Sequence, residues 1–185
     1  LWMVSTSFKE TSEIYKMPPD LIPTSPTVQN YIEGWKGADF GLFFKNSLFI
    51  TIIATVGTVL SSAFVAYGFA RFKARFSGLL FTILLATMML PTQVTLIPQY
   101  LMFNKLGMVN TYFPLLIPSW LGGGAFNIFL FIQFFRTLPK ELDEAAKIDG
   151  ANSLQIFTKI MLPAVKPVML AVLVMSLVYN WNDFF

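Results

Sequence analysis

Residues 46–70 hold no charged side chain, and the run is closed by Lys45 on one side and Arg71 on the other. An α-helix rises about 1.5 Å per residue, and roughly 20 residues cross the hydrocarbon core of a bilayer. A run of this length therefore predicts a tilted transmembrane helix. Small residues recur along it at Ala54, Gly57, Ser61, Ser62, Ala63, Ala66 and Gly68. In lipid, such residues let helix backbones approach closely.

Three further apolar runs follow, at 78–103, 112–135 and 164–185, and the chain as a whole agrees with them. Hydrophobic residues make up 55% of the 185 residues and charged residues 12%. A soluble domain carries about 25% charge. The expected fold is an all-α, polytopic transmembrane bundle. The second run contains Pro91, Gln93, Pro98 and Gln99, which predicts a kinked or broken helix whose freed backbone groups face protein or water. The third contains Pro114, Pro118 and the triplet Gly122-Gly123-Gly124, a deformable stretch suited to packing or flexing. The fourth carries Asn180, Asn182 and Asp183. With no Cys and no His, thiolate chemistry, Cys/His zinc sites and imidazole catalysis are excluded. No basic run suggests nucleic acid.

Charge orders the connections. Segment 1–45 holds four positive and five negative residues, and 104–111 holds Lys105 alone. Arg71, Lys73 and Arg75 follow the first span, and Arg136, Lys140, Lys147, Lys159 and Lys166 lie along 136–166. Positive loops stay cytoplasmic. The expectation is 1–45 and 104–111 outside, 71–77 and 136–166 inside, with Arg71, Lys73 and Arg75 serving as a topology signal. In 1–45, Pro18, Pro19, Pro23 and Pro26 predict a loop, and 27–35 a short helix with Thr27 as its cap. Residue 1 is Leu and residues 181–185 end inside an apolar segment, so a fragment is expected.

The insert between spans three and four is polar. Pro139, Glu141, Asp143 and Glu144 suit the first turn of a helix and its dipole. Ala145 and Ala146 give a smooth, strongly helical surface, and Gly150 breaks the helix. Asn152 or Ser153 can cap a second helix with Leu154, Phe157, Ile160 and Met161 on one face, ending at Pro163. A short helix with an apolar patch and a charged rim is built to dock in a groove of a soluble partner.

Glu144-Ala145-Ala146, then Gly150, Ile160, Leu162 and Pro163 at fixed distances, resembles the EAA loop of ATP-binding-cassette (ABC) importer permeases. Other words resemble the binding-protein-dependent carbohydrate branch (MalG-like). They include Trp2-Met3-Val4-Ser5, Asn46-Ser47-Leu48, Ala66-Tyr67-Gly68-Phe69-Ala70-Arg71, Met88-Met89-Leu90-Pro91, Arg136-Thr137-Leu138-Pro139, Ile148-Asp149-Gly150-Ala151 and Asn180-Trp181-Asn182-Asp183-Phe184. The resemblance implies a type I, MetI-like permease in a prokaryotic plasma membrane, here lacking most of its first helix and all of its last. It implies a second permease, as a heterodimer, two copies of a cytoplasmic ATPase that holds the ATP and Mg, and an extracytoplasmic solute-binding protein. The chain itself would carry no cofactor and no catalytic residue.

On this reading the ATPase-coupling residues are Glu141, Glu144, Ala145, Ala146, Asp149, Gly150, Ile160, Leu162 and Pro163. Gln93, Gln99, Asn180 and Asn182 are candidates for the translocation path, although intramembrane amides also serve as helix–helix glue. Phe126, Phe129, Phe131, Phe134 and Phe135 are expected to face lipid or pack between helices. The solute is expected to be a sugar or oligosaccharide. An amino acid, peptide or polyamine permease of the same architecture remains open, as does an ion-coupled secondary transporter, which would want an ionisable residue deep in a span.

Overall fold

The computed structural model describes residues 1–37 and 39–183. The last two residues of the fourth predicted span, Phe184 and Phe185, lie outside the described residues. Among those described, all regular structure is helical. The chain divides into two compact units, Leu1–Ser47 and Leu48–Phe185.

The first unit is ordered by side-chain hydrogen bonds. It holds helices α1 (Trp2–Ser7), α2 (Thr11–Ile14) and α3 (Gln29–Gly37). Glu13 accepts from the Thr24 hydroxyl at 2.6 Å and from the Thr24 and Ser25 amides at 3.2 and 3.1 Å. The Thr24 hydroxyl, followed by these amides, holds the Glu13 carboxyl below its usual range. Lys9 is buried: its ammonium lies 4.6 Å from the Trp2 ring centroid and donates to the Asp20 carbonyl. The Thr27 hydroxyl accepts from the Gln29 amide at 3.1 Å, but Val28 O takes the first helical hydrogen bond, so the cap position of α3 is Val28 and the predicted cap, Thr27, lies one residue before it.

From α4 onward, the helix whose residues from Leu48 belong to the second unit, the spans are less regular than apolar runs suggest. Helix α4 (Phe40–Arg71) and the stretch Phe113–Thr137 are long and apolar enough to cross a bilayer. The second run is broken rather than kinked: α5 (Ser77–Thr87) and α6 (Thr92–Lys105) meet at 104°. Pro91, extended at φ −62° and ψ 136°, starts α6 in a new direction. In the fourth run, α12 (Lys166–Trp181) is set at 80° to Ser153–Ala164, and the two are long and apolar enough to cross only as one bent pair.

Helix α4 presents Thr51, Ala54, Thr55, Thr58, Ser62, Ala63, Ala66 and Tyr67 to the interior, at helical spacing. At Thr58 and Ser62 this face admits the loop between α7 (Phe113–Trp120) and α8 (Ala125–Thr137). There Gly122, Gly123 and Gly124 all take positive φ, at 119°, 64° and 93°. The helix break frees carbonyls, and side chains reach them: Ser61 donates to Ser119 O at 2.8 Å, Ser62 to Gly122 O at 3.1 Å and Asn127 to Gly123 O at 2.7 Å. Irregular backbone survives at membrane depth when protein satisfies it. Nearer Arg71, Phe131, Ile132 and Phe135 of α8 pack with Ala63, Ala66 and Tyr67 of α4 and with Val165, Val168 and Val172. The phenylalanines therefore divide, with Phe131 and Phe135 in the core and Phe126 and Phe134 exposed.

Candidate functional site: a coupling arm and a polar cavity

The polar insert folds as two short arms around Gly150. The first is α9 (Glu141–Ile148), with Glu141, Asp143 and Glu144 in its opening turn. It starts at Glu141, so Pro139 precedes the helix instead of occupying its first turn. Glu141, Glu144, Ala145 and Ile148 recur at steps of three and four and are exposed, Ile148 to 86%. Asp143 and Ala146 form the opposite face and are buried, Ala146 against the main core. Ala145 and Ala146 thus do different things: one lies on the open face and the other seats the helix. Asp149 is exposed at the helix end. Gly150 has φ 81°, and an added Cβ would meet open space, so the glycine is required by its dihedral and not by a close neighbour.

The second arm begins at Asn152, which accepts from the Gln155 amide at 2.9 Å while the Gln155 side chain accepts from the Asn152 amide at 2.8 Å. This reciprocal cap settles the choice between Asn152 and Ser153. After α10 (Ser153–Ile156) comes a widened π turn, Phe157–Met161, then α11 (Leu162–Ala164). The wide turn puts Ile156 and Met161, five residues apart, both inside. Leu154, expected on the apolar face, is 61% exposed. Ile160 and Leu162 are half-buried and Pro163 is exposed inside α11, so the helix ends at Val165 and not at Pro163.

Both arms are held by the last two turns of α4. Arg71 Nε lies 2.8 Å from Asp143 Oδ2, and both side chains are at least nine-tenths buried. The N–H does not aim at the oxygen, so the contact is an ion pair and not an aligned hydrogen bond. Arg71 Nη2 donates to Leu138 O at 3.0 Å, on the backbone entering α9. One turn earlier, the Tyr67 hydroxyl donates to Ser153 O at 3.4 Å and its ring lies 5.1 Å from that of Phe157. Of the three cations that follow the first run, Arg71 is thus buried and paired, whereas Lys73 and Arg75 are exposed.

The path candidates gather in part. A cavity of about 540 Å³ is lined by Gln93, Gln99 and Tyr100 of α6, by Asn110 and Thr111, and by Tyr179, Asn180 and Asp183 at the end of α12. Asn180 also donates to Thr55 at 3.2 Å, so it joins α12 to α4 as well. Asn182 lies outside the lining; its amide donates to Val178 O at 2.7 Å and closes the helix end. Among the described residues no cluster of acidic side chains could hold a metal ion.

Residues 58–185 match the family described as binding-protein-dependent transport system inner membrane component. The chain belongs to this family. It is 33% identical to the diacetylchitobiose uptake system permease NgcG of Streptomyces coelicolor, over 100% of this chain and 61% of that protein. It is 35% identical to the sn-glycerol-3-phosphate transport permease UgpE of Yersinia enterocolitica, over 98% of this chain and 66% of that one. A bacterial ABC transporter involved in import of the acidic polysaccharide alginate has a chain that superposes with a TM-score of 0.89, at 26% identity, over 100% of this chain and 64% of its own length. The chain thus spans about two thirds of the length of its relatives. Among the described residues the all-helical bundle agrees with the sequence expectation.

Sequence reasoning overlooked Arg71 and Asp143 as a pair. The available signal was geometric: Asp143 lies three residues before Ala146, on the face opposite Glu141, Glu144 and Ala145. A carboxylate turned inward needs a cationic partner.

Proposed function

We propose that this chain is a permease subunit of an ATP-driven importer that carries a sugar or oligosaccharide across a prokaryotic plasma membrane. A second permease, as a heterodimer, completes the path. Two copies of a cytoplasmic ATPase, holding ATP and Mg, engage the insert and its counterpart, and an extracytoplasmic protein delivers the solute. Residues 1–45 and 104–111 lie outside, and 71–77 and 136–166 inside. The observation that carries the reading is the two-faced helix α9. Its open face combines Glu141, Glu144 and Ala145 with the bare Ile148, while Asp143 and Ala146 tie its back to the spans. An apolar anchor within an acidic rim fits a groove with basic edges.

In this assembly α9 docks in the ATPase, Glu144 makes a polar or ionic contact there, and Gly150 lets the second arm take its own angle. Asp149, Ile160, Leu162 and Pro163 complete the arm that returns to α12. Nucleotide binding inside and solute delivery outside favour different states of the bundle, and the insert links the two equilibria. Gln93, Gln99 and Asn180 with Tyr100 and Tyr179 give the cavity amides and aromatic faces, a lining suited to polyhydroxylated solutes. The test is purification of the intact complex in mild detergent with identification of its companions. An ATPase that co-purifies with the wild type and is lost on Glu144→Arg supports the reading; retention by that variant refutes docking through this face.

A further inference from the structure

The Arg71–Asp143 pair has features that a purely stabilising contact does not need. Buried ion pairs are poor stabilisers, because apolar residues of similar volume often do as well or better. Here the pair is also imperfect: one off-axis contact, with Asp143 Oδ1 buried and reached by no side-chain or backbone donor. Such a contact fixes separation more than angle. Arg71 meanwhile grips both the helix face, through Asp143, and the entering backbone, through Leu138 O. It is the last residue of α4, a helix of 32 residues.

The distance dependence of the two kinds of contact decides what each can transmit. An apolar contact loses a quarter to a half of its attraction when a gap of about 0.5–1 Å opens. Stretching a charge pair from 2.8 Å to ~3.8 Å keeps about three quarters of its Coulomb attraction. A joint that must hold while α9 shifts and turns is better served by charge than by packing. The slack in angle lets α9 swivel, and the attraction keeps it tied to α4. On the far side of Gly150, the Tyr67–Ser153 contact restrains the second arm separately.

We propose that Arg71 and Asp143 are positioning residues for energy coupling: a buried electrostatic pivot through which displacement of α9 is passed to α4. This rests on the docking of α9 to an ATPase proposed above. The experiment uses the complete importer in proteoliposomes and reads solute uptake per ATP hydrolysed, ATPase co-purification and thermal stability. The double variant Arg71→Met with Asp143→Leu is expected to co-purify with the ATPase and to melt no lower than wild type, yet to lose at least tenfold in uptake per ATP. A merely structural pair would move stability and leave that ratio unchanged, so wild-type coupling in the double variant overturns the proposal. Should the double variant not accumulate in the membrane, Asp143→Asn, which keeps the shape and removes the charge, is expected to lose coupling severalfold at normal assembly. An unchanged ratio there overturns it equally. Arg71→Lys, which keeps the charge but loses the planar fork, is expected to retain more coupling than Asp143→Asn, and the reverse order counts against a pivot based on charge. If the wild-type chain brings down no ATPase, it is the docking reading that fails, a result distinguishable from an uncoupled variant in an intact complex.

Discussion

Two glycines touch opposite sides of the same seam, and they are expected to respond differently to the same mutation. A Cβ at Gly57 would meet the Trp120 indole, at 2.5 Å from Nε1 and 2.6 Å from Cδ1. A Cβ at Gly123 would meet the Thr58 backbone, at 2.5 Å from the carbonyl oxygen and 2.9 Å from Cα, as well as the Ser62 hydroxyl. Gly57 is inside α4, where alanine gains about 1 kcal/mol of helix propensity, so Gly57→Ala is expected to cost a net ~0–2 kcal/mol against an overpacking penalty of about 1–3 kcal/mol. Gly123 has φ 64°, and alanine there adds about 1–2 kcal/mol of left-handed strain to the overpacking term, about 2–5 kcal/mol in all. The two are separated by rescue. Trp120 is 46% exposed and its ring can be removed, so adding Trp120→Ala to Gly57→Ala should recover at least ~1 kcal/mol beyond additivity. Adding Ser62→Ala to Gly123→Ala should recover less than about 0.5 kcal/mol, because the Thr58 backbone stays where it is. Unfolding in mixed micelles by SDS titration, followed by circular dichroism, measures both cycles. Equal rescue in the two cycles would show that the Gly123 loop does not rest on the backbone of α4.

Gly150→Asp is expected to leave the protein in the membrane but to cost about 1–2 kcal/mol locally at φ 81° and to uncouple transport; normal uptake by that variant refutes the hinge. Glu13 is held below its usual carboxylate range chiefly by the Thr24 hydroxyl, so its contribution to order in residues 1–47 should be full above the unfolded value of 4.5 and fade as pH falls through the lower folded value. Limited proteolysis of that unit at pH 7, 4.5 and 3 checks the sign: protection that rises toward pH 3 contradicts it. The cavity is lined by Asp183 and by no Lys or Arg among the described residues, so an uncharged sugar should be carried in preference to a phosphorylated or uronic one. Uptake of labelled neutral and anionic sugars by the reconstituted importer decides the point.

Local physics made the spans readable and nonlocal physics hid their breaks. The charge-free run at 46–70 reports its environment residue by residue, and α4 needs no other segment to be recognised as a span. Pro91 announced a disturbance, but the difference between a kink and a 104° break depends on what surrounds α5 and α6. Asn180 and Asn182 look alike in sequence, yet one lines the cavity and the other closes its own helix. Their spacing of two puts them on different sides of the helix end, a distinction the helical period supplies once α12 is known to end at Trp181.

The insert shows the same division. Its caps, turn glycine and two-faced helix follow from residues within four positions of one another, and the Asn152–Gln155 cap and the positive φ of Gly150 bear them out. The pair that fastens it does not. Arg71 and Asp143 are far apart in the chain, and each has an adequate local explanation: a cation after a span for the one, an acid in a first turn for the other. The local reasons became insufficient only when the burial pattern of α9 turned Asp143 inward, where a carboxylate without a partner is too costly to keep. At Arg71, the cation that follows the apolar run in the sequence is the same one that ties α9 to α4 in the fold.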